Sequence, residues 1–420
     1  MRNAVITGLG FITSIGNDKS TVAASLRKLQ HGLAPYAPFC ANPCIPVKLT
    51  GAIRDFDTLS PDAEDWIFPS RYTIRREHLR CLAPHGLYAC CALEQALADA
   101  ALSPGQVSHP STGMFTASAG SASMMHHNLT RMHASGVMRC TPMGVINSVA
   151  GTLNFNLVAI HKILGATCGF SSACASSAHA LGYALEEIRH ARQDRMIVVG
   201  GEDGNLEAIL PFAGMRALST TDDPALASCP FDKARSGFVG TGGATAMILE
   251  EETLARARQA HIYARFTGWG QASDGHNPAI SHPDGIGLAT SMKRCLADAA
   301  QTPATVDYIN AHATSTPIGD RSELIAINTV FTGEKKPSVS STKGLTGHAL
   351  SMASILEAAI CCIALDEQFI PGNAHLRNPD PAAAPLPLPR TTQESHLRTA
   401  LTNSSGFGGA NVSLLFERAP

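Results

Sequence analysis

Gly165-Ala-Thr-Cys-Gly-Phe-Ser-Ser-Ala-Cys-Ala-Ser-Ser-Ala-His-Ala-Leu-Gly-Tyr-Ala-Leu-Glu-Glu-Ile-Arg189 is the stretch from which the fold can be read. Up to Phe170 it is short, small and strand-like. Beyond Cys174, residues Ala178, Leu181, Leu185 and Ile188 recur at the three-and-four spacing of one helix face. Cys174 therefore begins a helix, and strand, tight turn and helix make an α/β elbow with a nucleophile at its corner. The first N–H groups of a helix lack internal partners and carry partial positive charge, which favours a thiolate and can hold an oxyanion. Free cysteine is also among the most buried residue types, so this stretch alone admits a plain packing role.

The chain around it is long enough for two domains or one large duplicated one, with 420 residues of which 45% are hydrophobic. Lys and Arg total 32 against 34 for Asp and Glu. That balance gives no electrostatic case for nucleic acid or an anionic membrane as the main partner. The N-terminus enters a strand at once, without the apolar core and cleavage site of a signal peptide, and no apolar run is long enough to span a bilayer. Twelve cysteines include the adjacent pairs Cys90–Cys91 and Cys361–Cys362 inside helical patterns, which read as core fillers in a reducing cytoplasm. Cys40 and Cys44 have no second pair at matching spacing, so no metal site is expected there.

Residues 3 to 8 read as a buried strand, and Asp18 to Leu29 as a helix capped by Asp18 or Ser20. The Gly-x-Gly near residue 10 lacks the third glycine and acidic partner of a dinucleotide site. Residues 34 to 80 form an excursion, proline-rich at first. Helices are expected over Pro84–Ala101 and Met143–Leu164, with strands over Gly113–Ala119, Arg195–Gly201 and Ala244–Glu250. The alternation then restarts, with strands at Ile262–Thr267, Asp307–Asn310 and Ser338–Ser341 and helices at Gly287–Ala300, Arg321–Val330 and Ala349–Leu365. Two α/β halves are expected, 1–255 and 256–420, although no sequence identity between them is visible.

Three further stretches are polar, glycine-rich and placed just after expected strands, where α/β folds bind ligands. They are Asn310-Ala-His-Ala-Thr-Ser-Thr-Pro-Ile-Gly-Asp320, Ser341-Thr-Lys-Gly-Leu-Thr-Gly-His348 and Asn403-Ser-Ser-Gly-Phe-Gly-Gly-Ala-Asn411. Together with Ser171–His179, Gly200–Glu202, Ala217–Thr220, Pro230–Asp232 and Ala260–Ala264, they make the chain resemble the β-ketoacyl-acyl carrier protein synthases of the thiolase superfamily, above all the type I elongating synthase.

The resemblance implies a five-layered αβαβα fold of two similar halves, a homodimer, and decarboxylative Claisen condensation in fatty acid or specialised chain elongation. It implies an acyl carrier protein as partner, whose phosphopantetheine replaces any cofactor of the enzyme's own. Cys174 would accept the acyl chain, His312 and His348 would stabilise the enolate of the malonyl unit, and the backbone N–H groups of Cys174 and Phe407 would hold the later oxyanion. Lys343 would be a buried ammonium paired with Glu323. Thr314 and Thr316 would bond the pantetheine arm, Phe407 would gate the site, and Met124, Met125, His126 and His127 would lie near the far end of the acyl pocket. Arg76, Arg80 and Arg139 would form the carrier-protein patch. Ala313, Ser405 and Ala410 depart from the family's usual Gly, Phe and Thr, and loss of an aromatic at 405 should widen or soften the gate. A thiolase would want a second catalytic cysteine in residues 403 to 411, where none occurs. A non-catalytic chain-length partner of a heterodimer, which would lack the nucleophile, is the competing reading from another class.

Overall fold

The computed structural model describes residues 1–419. Ten strands carry the fold: β1 (Ala4–Ile12), β2 (Thr112–Ala117), β3 (Thr167–Phe170), β4 (Arg195–Glu202), β5 (Gly243–Glu251), β6 (Ala264–Ser273), β7 (Tyr308–Asn310), β8 (Ser338–Ser340), β9 (Thr399–Gly406) and β10 (Ala410–Glu417). They hydrogen-bond in the order β3-β2-β4-β5-β1 and β8-β7-β9-β10-β6. In each group the first three strands are parallel and the last two joins antiparallel, so the two halves have one topology traced twice. The groups touch only where Ala4–Ile6 of β1 pairs with Ala264–Phe266 of β6.

Six helices complete the layers: α1 (Pro84–Asp99), α2 (Thr152–His161), α3 (Ser176–Arg189), α4 (Ile286–Asp298), α5 (Pro317–Val330) and α6 (Ala353–Glu367). Helices α1 and α2 cover the outer face of the first sheet, and α4 with α5 that of the second. Between the sheets lie α3 and α6, giving five layers. Every residue of α6 from Ala353 to Leu365 is buried, a condition a helix meets only when apolar surface surrounds it. In α3 the face foreseen from the sequence, Ala178, Leu181, Leu185 and Ile188, lies in the same central core.

The duplication leaves a mark in the sequence at the equivalent strands β1 and β6. Gly8 and Gly10 face α1, where a Cβ on Gly10 would stand 1.8 Å from the Ala92 carbonyl oxygen. Gly268 and Gly270 face α4 in the same way, a Cβ on Gly270 meeting the Ser291 carbonyl at 2.4 Å. Each Gly-x-Gly thus lets a helix backbone lie directly on a strand, which is what the glycines near residue 10 do in place of binding a nucleotide.

Differences from the sequence expectation are local. The helix foreseen from Met143 begins only at Thr152, because Gly151 turns the backbone left-handed at φ 96°. The residues before it are held as turns by Ser148 Oγ on the Gly144 carbonyl and Thr152 Oγ1 on the Ile146 carbonyl. Cys174 lies two residues ahead of α3, whose first residue is Ser176. The 34–80 excursion folds onto the first half, with Trp66 and Tyr72 buried in the α1 core. Among the described residues no helix is long and apolar enough to cross a membrane.

Gly10→Ala and Gly270→Ala should each lower stability by about 3 kcal/mol, as overpacking of a rigid contact does. Gly105→Ala, where a Cβ meets nothing within 4 Å, should leave the urea midpoint nearly unchanged. Equal midpoints for all three would contradict the backbone contacts.

Candidate active site

The polypeptide bends sharply between β3 and α3. Ala173, next to the cysteine, sits at φ 51°, a left-handed conformation that an alanine adopts only under constraint. The constraint is a set of short bonds. Ser172 N–H donates to Ser176 Oγ at 2.8 Å, Ser176 Oγ donates to the Ala173 carbonyl at 2.6 Å, and Ser172 Oγ meets His179 Nδ1 at 2.8 Å. From the other half, Ser354 Oγ of α6 donates to the Cys174 carbonyl at 2.9 Å. The serines around the cysteine are therefore the fasteners of the elbow.

His312 follows β7 and is fixed through its backbone: its N–H and that of Ala313 donate to the Glu323 carboxylate of α5 at 3.0 and 2.7 Å. Asn403 Nδ2 donates to the same carboxylate at 3.1 Å. Burial pushes the Glu323 carboxyl up to about 7, while these three donors pull it down. His348 follows a left-handed Gly347 at φ 74°, and its N–H donates to the Val239 carbonyl at 2.7 Å.

These separately fastened groups converge. Nε2 of His348 lies 3.0 Å from Sγ of Cys174, and the ligating atoms of Cys174, His312 and His348 all fall within 4.8 Å of one another. The imidazole rings stand nearly perpendicular, 86°, with centroids 5.3 Å apart. This spacing would suit a metal ion as well as a substrate oxygen. Cys40 and Cys44 are exposed and join no such group among the described residues.

The electrostatics favour neutral rings. Burial, reinforced by the Lys343 ammonium, holds both imidazoles well below their usual titration range. Their Nδ1 atoms are buried without a hydrogen-bond partner. A bare lone pair is tolerated there better than an orphaned N–H, which favours the tautomer with the proton on Nε2. Burial also pushes the Cys174 thiol up to about 12, although Lys343 pulls it down. The sequence suggested a thiolate favoured by the helix start; in the folded chain burial works against that effect.

Lys343 is buried as foreseen, but its ammonium pairs with Glu357 on α6, not with Glu323. The reason is position: Glu323 is already occupied by backbone N–H groups, whereas Glu357 is the one carboxylate in the buried part of α6. Burial raises Glu357 to about 7, and Lys343 opposes that shift.

A cavity of about 400 Å³ opens onto Cys174, His312 and His348. Thr314 and Thr316 line it with their hydroxyls 3.1 Å apart, and Phe407, 39% exposed, stands at its side. Gly406 lets the Phe407 hairpin lie against the elbow, since a Cβ there would meet the Ser172 carbonyl at 2.7 Å. Phe407 packs on Phe212, Phe212 on Phe238, and Phe238 edge-on to His348. Sequence reasoning missed Phe212 and Phe238. It also missed Arg216, whose left-handed backbone, φ 56°, sets it in the cavity lining. Its only signal was a cation beside the Ala217–Thr220 motif.

Other candidates lie elsewhere. Met124, His126 and His127 line a second cavity of about 690 Å³, beneath the 34–61 segment, and Met125 lines neither. The segment from Asp203 to Arg216 separates the two, with Leu206 and Glu207 in one wall and Phe212 and Met215 in the other. Arg76 and Arg80 both grip Glu64 of the excursion, which holds that carboxyl down at about 2. Arg139 sits apart on the short turn Val137–Arg139.

The chain is similar to known proteins along its whole length. Residues 1–255 match the family model for the β-ketoacyl synthase N-terminal domain, and residues 263–377 that for the β-ketoacyl synthase C-terminal domain. The chain is 37% identical to 3-oxoacyl-[acyl-carrier-protein] synthase 1 of Haemophilus influenzae, over 100% of this chain and 99% of the relative. Among solved structures, a β-ketoacyl synthase from Burkholderia phymatum superposes with TM-score 0.91 at 30% identity, covering both chains completely. A type II polyketide ketosynthase in complex with its acyl carrier protein superposes with TM-score 0.89 at 26% identity, again over both whole chains. A duplicated αβαβα fold with a cysteine and two neutral histidines at its centre, matched along its whole length by condensing acyltransferases, places this chain in the β-ketoacyl synthase family.

Proposed function

We propose that the protein elongates acyl chains by condensing malonyl units delivered on an acyl carrier protein, with Cys174, His312 and His348 as its catalytic residues. The observation that carries the reading is the 3.0 Å approach of His348 Nε2 to the Cys174 sulfur, with His312 inside the same 4.8 Å cluster. A chain-length partner without chemistry of its own has no use for such an approach.

In the first step the Cys174 sulfur attacks the carrier thioester, and its proton ends on the released carrier thiol. Phosphopantetheine would reach the sulfur through the Thr314–Thr316 side of the cavity. In the second step the bond to the malonyl carboxylate breaks, carbon dioxide leaves, and the electron pair becomes an enolate. The two Nε2–H groups would hold its oxygen, each contributing roughly 3 to 4 kcal/mol if well aligned. The enolate carbon then attacks the Cys174 thioester. The tetrahedral oxyanion would lie between the N–H groups of Cys174 and Phe407, and its collapse expels the sulfur as a thiolate, which takes a proton from solvent, and leaves a β-ketoacyl chain on the carrier. Lys343 acts from a distance, its charge adding to burial in keeping both imidazoles neutral.

We assign Phe407 as the gate between the acyl and malonyl sides. The carrier would dock near Arg216 at the cavity, and Arg76, Arg80 and Arg139, which lie away from the cavity lining, would supply further cations to it. The exposed edge strand β3, with Leu164, Phe155 and Tyr183 exposed around it, suits pairing with a second copy. The units 1–255 and 256–420 would be its two halves, and twelve free cysteines fit a cytoplasmic setting.

His312→Ala should keep acylation of Cys174 by an acyl carrier but slow release of carbon dioxide from malonyl carrier by roughly 10² to 10³. Cys174→Ala should abolish acylation, read by intact-protein mass spectrometry. Unchanged acylation in that variant would defeat the assignment.

The pH response follows from the depressed imidazoles. The active neutral form persists as pH falls through 6.5, so decarboxylation should show no inflection there and fail only at markedly lower pH. An inflection near 6.5 would mean solvated histidines. In sedimentation velocity the protein should run as a dimer, and a monomer at micromolar concentration would overturn the edge pairing.

A further inference from the structure

Ser405 occupies the strand position next to the Phe407 turn, directly across the hairpin from Asn411. Its hydroxyl donates to Asn411 Oδ1 at 2.7 Å. Both hydrogens of the same amide are also in use, Nδ2 donating to Asp274 Oδ1 and to the Gly409 carbonyl, each at 2.9 Å. Asn411 is 2% exposed, so its amide has no water to turn to.

Asp274 belongs to the loop on the other side of the cavity. Its N–H donates to the Gly409 carbonyl at 3.0 Å, its Oδ2 accepts from His282 N–H at 3.0 Å, and Gly408 N–H donates to the Pro278 carbonyl at 2.7 Å. Ala279, Ile280 and Ser281 of this loop line the cavity together with Ser405 and Phe407. The crossing is tight: a Cβ on Gly287 would stand 2.2 Å from Asp274 Oδ1 and 2.6 Å from Asn411 Nδ2. A hydroxyl at 405 therefore supplies the one hydrogen bond seen at the oxygen of the amide that ties hairpin to loop.

We propose that Ser405 is a positioning residue, a latch that holds Asn411 in the orientation fastening the Phe407 hairpin to the Asp274–Gly285 loop and so keeps the gate shut over the Cys174 thioester between the two half-reactions. The inference rests on the reading of Phe407 as the gate. The sequence suggested that a serine here softens the gate; the hydrogen bonds point to the opposite effect, a small residue that adds a fastening.

Without the hydroxyl, Asn411 Oδ1 is left buried and unpaired, and the closed arrangement weakens by about two- to tenfold relative to the open one. In Ser405→Ala, alkylation of Cys174 by iodoacetamide and hydrolysis of the acylated enzyme should both rise by that factor. The kcat for condensation should fall while KM for malonyl carrier stays within about twofold, since docking is untouched. Ser405→Thr, which keeps the hydroxyl, should restore wild-type alkylation and hydrolysis rates, a recovery that mere damage to packing would not show.

Phe407→Ala separates the two readings. If Phe407→Ala accelerates alkylation but Ser405→Ala matches wild type in alkylation and hydrolysis, the gate stands and the latch is overturned. If neither variant changes them, the gate reading falls and the latch with it. A rise in Ser405→Ala that Ser405→Thr fails to reverse also overturns the latch.

Discussion

A sulfur carried by one half of the chain stands 3.0 Å from an imidazole carried by the other, and the proposed condensation depends on that approach. Nothing in either half alone can secure that distance. It is secured by the central layer, where α3 runs from the elbow and α6 runs beside it between two sheets of identical topology. Ser354 of α6 reaches the Cys174 carbonyl and accepts in turn from Ser404 of β9, so the elbow is bonded to the half that supplies the histidines.

A dry interior sets the second condition. His312, His348, Lys343, Glu323 and Glu357 are buried together behind Cys174, and burial shifts the ionisation of both imidazoles and both carboxyls. One ammonium paired with one carboxylate is the arrangement that low-dielectric surroundings tolerate. Burial, with the ammonium's field added to it, keeps the imidazoles neutral. The proposed decarboxylation would need neutral donors, because a charged imidazolium would surrender its proton to the enolate before the carbon could attack.

Much of this was legible in the residues, for identifiable reasons. Periodicity exposed α3 because one face repeats cleanly, and motif density after expected strands marked His312, His348 and the Asn403–Asn411 hairpin. The partner of Lys343 was not legible, since Glu323 and Glu357 are both plausible in sequence and only the backbone N–H groups after β7 decide between them. The helix expected from Met143 failed because hydrophobic content masked the left-handed Gly151. The placement of Met124, His126 and His127 in a separate cavity depends on a wall of two very short helices that leave no periodic signal. The duplication was hidden for a related reason, as hydrogen-bond topology survives almost complete replacement of side chains.

What survived replacement was the pair of Gly-x-Gly contacts, and these have an evolutionary corollary. Where a helix backbone rests on a strand with only hydrogen between them, no larger residue is neutral and no compensating neighbour can shrink to admit it. Sequence drift is therefore channelled away from the sheet–helix seams and into the rims: the 34–80 excursion, the Asp203–Arg216 wall and the two loops beside Phe407. Those rims line both cavities, so the walls of the cavities are free to change on an architecture that is itself nearly barred from changing.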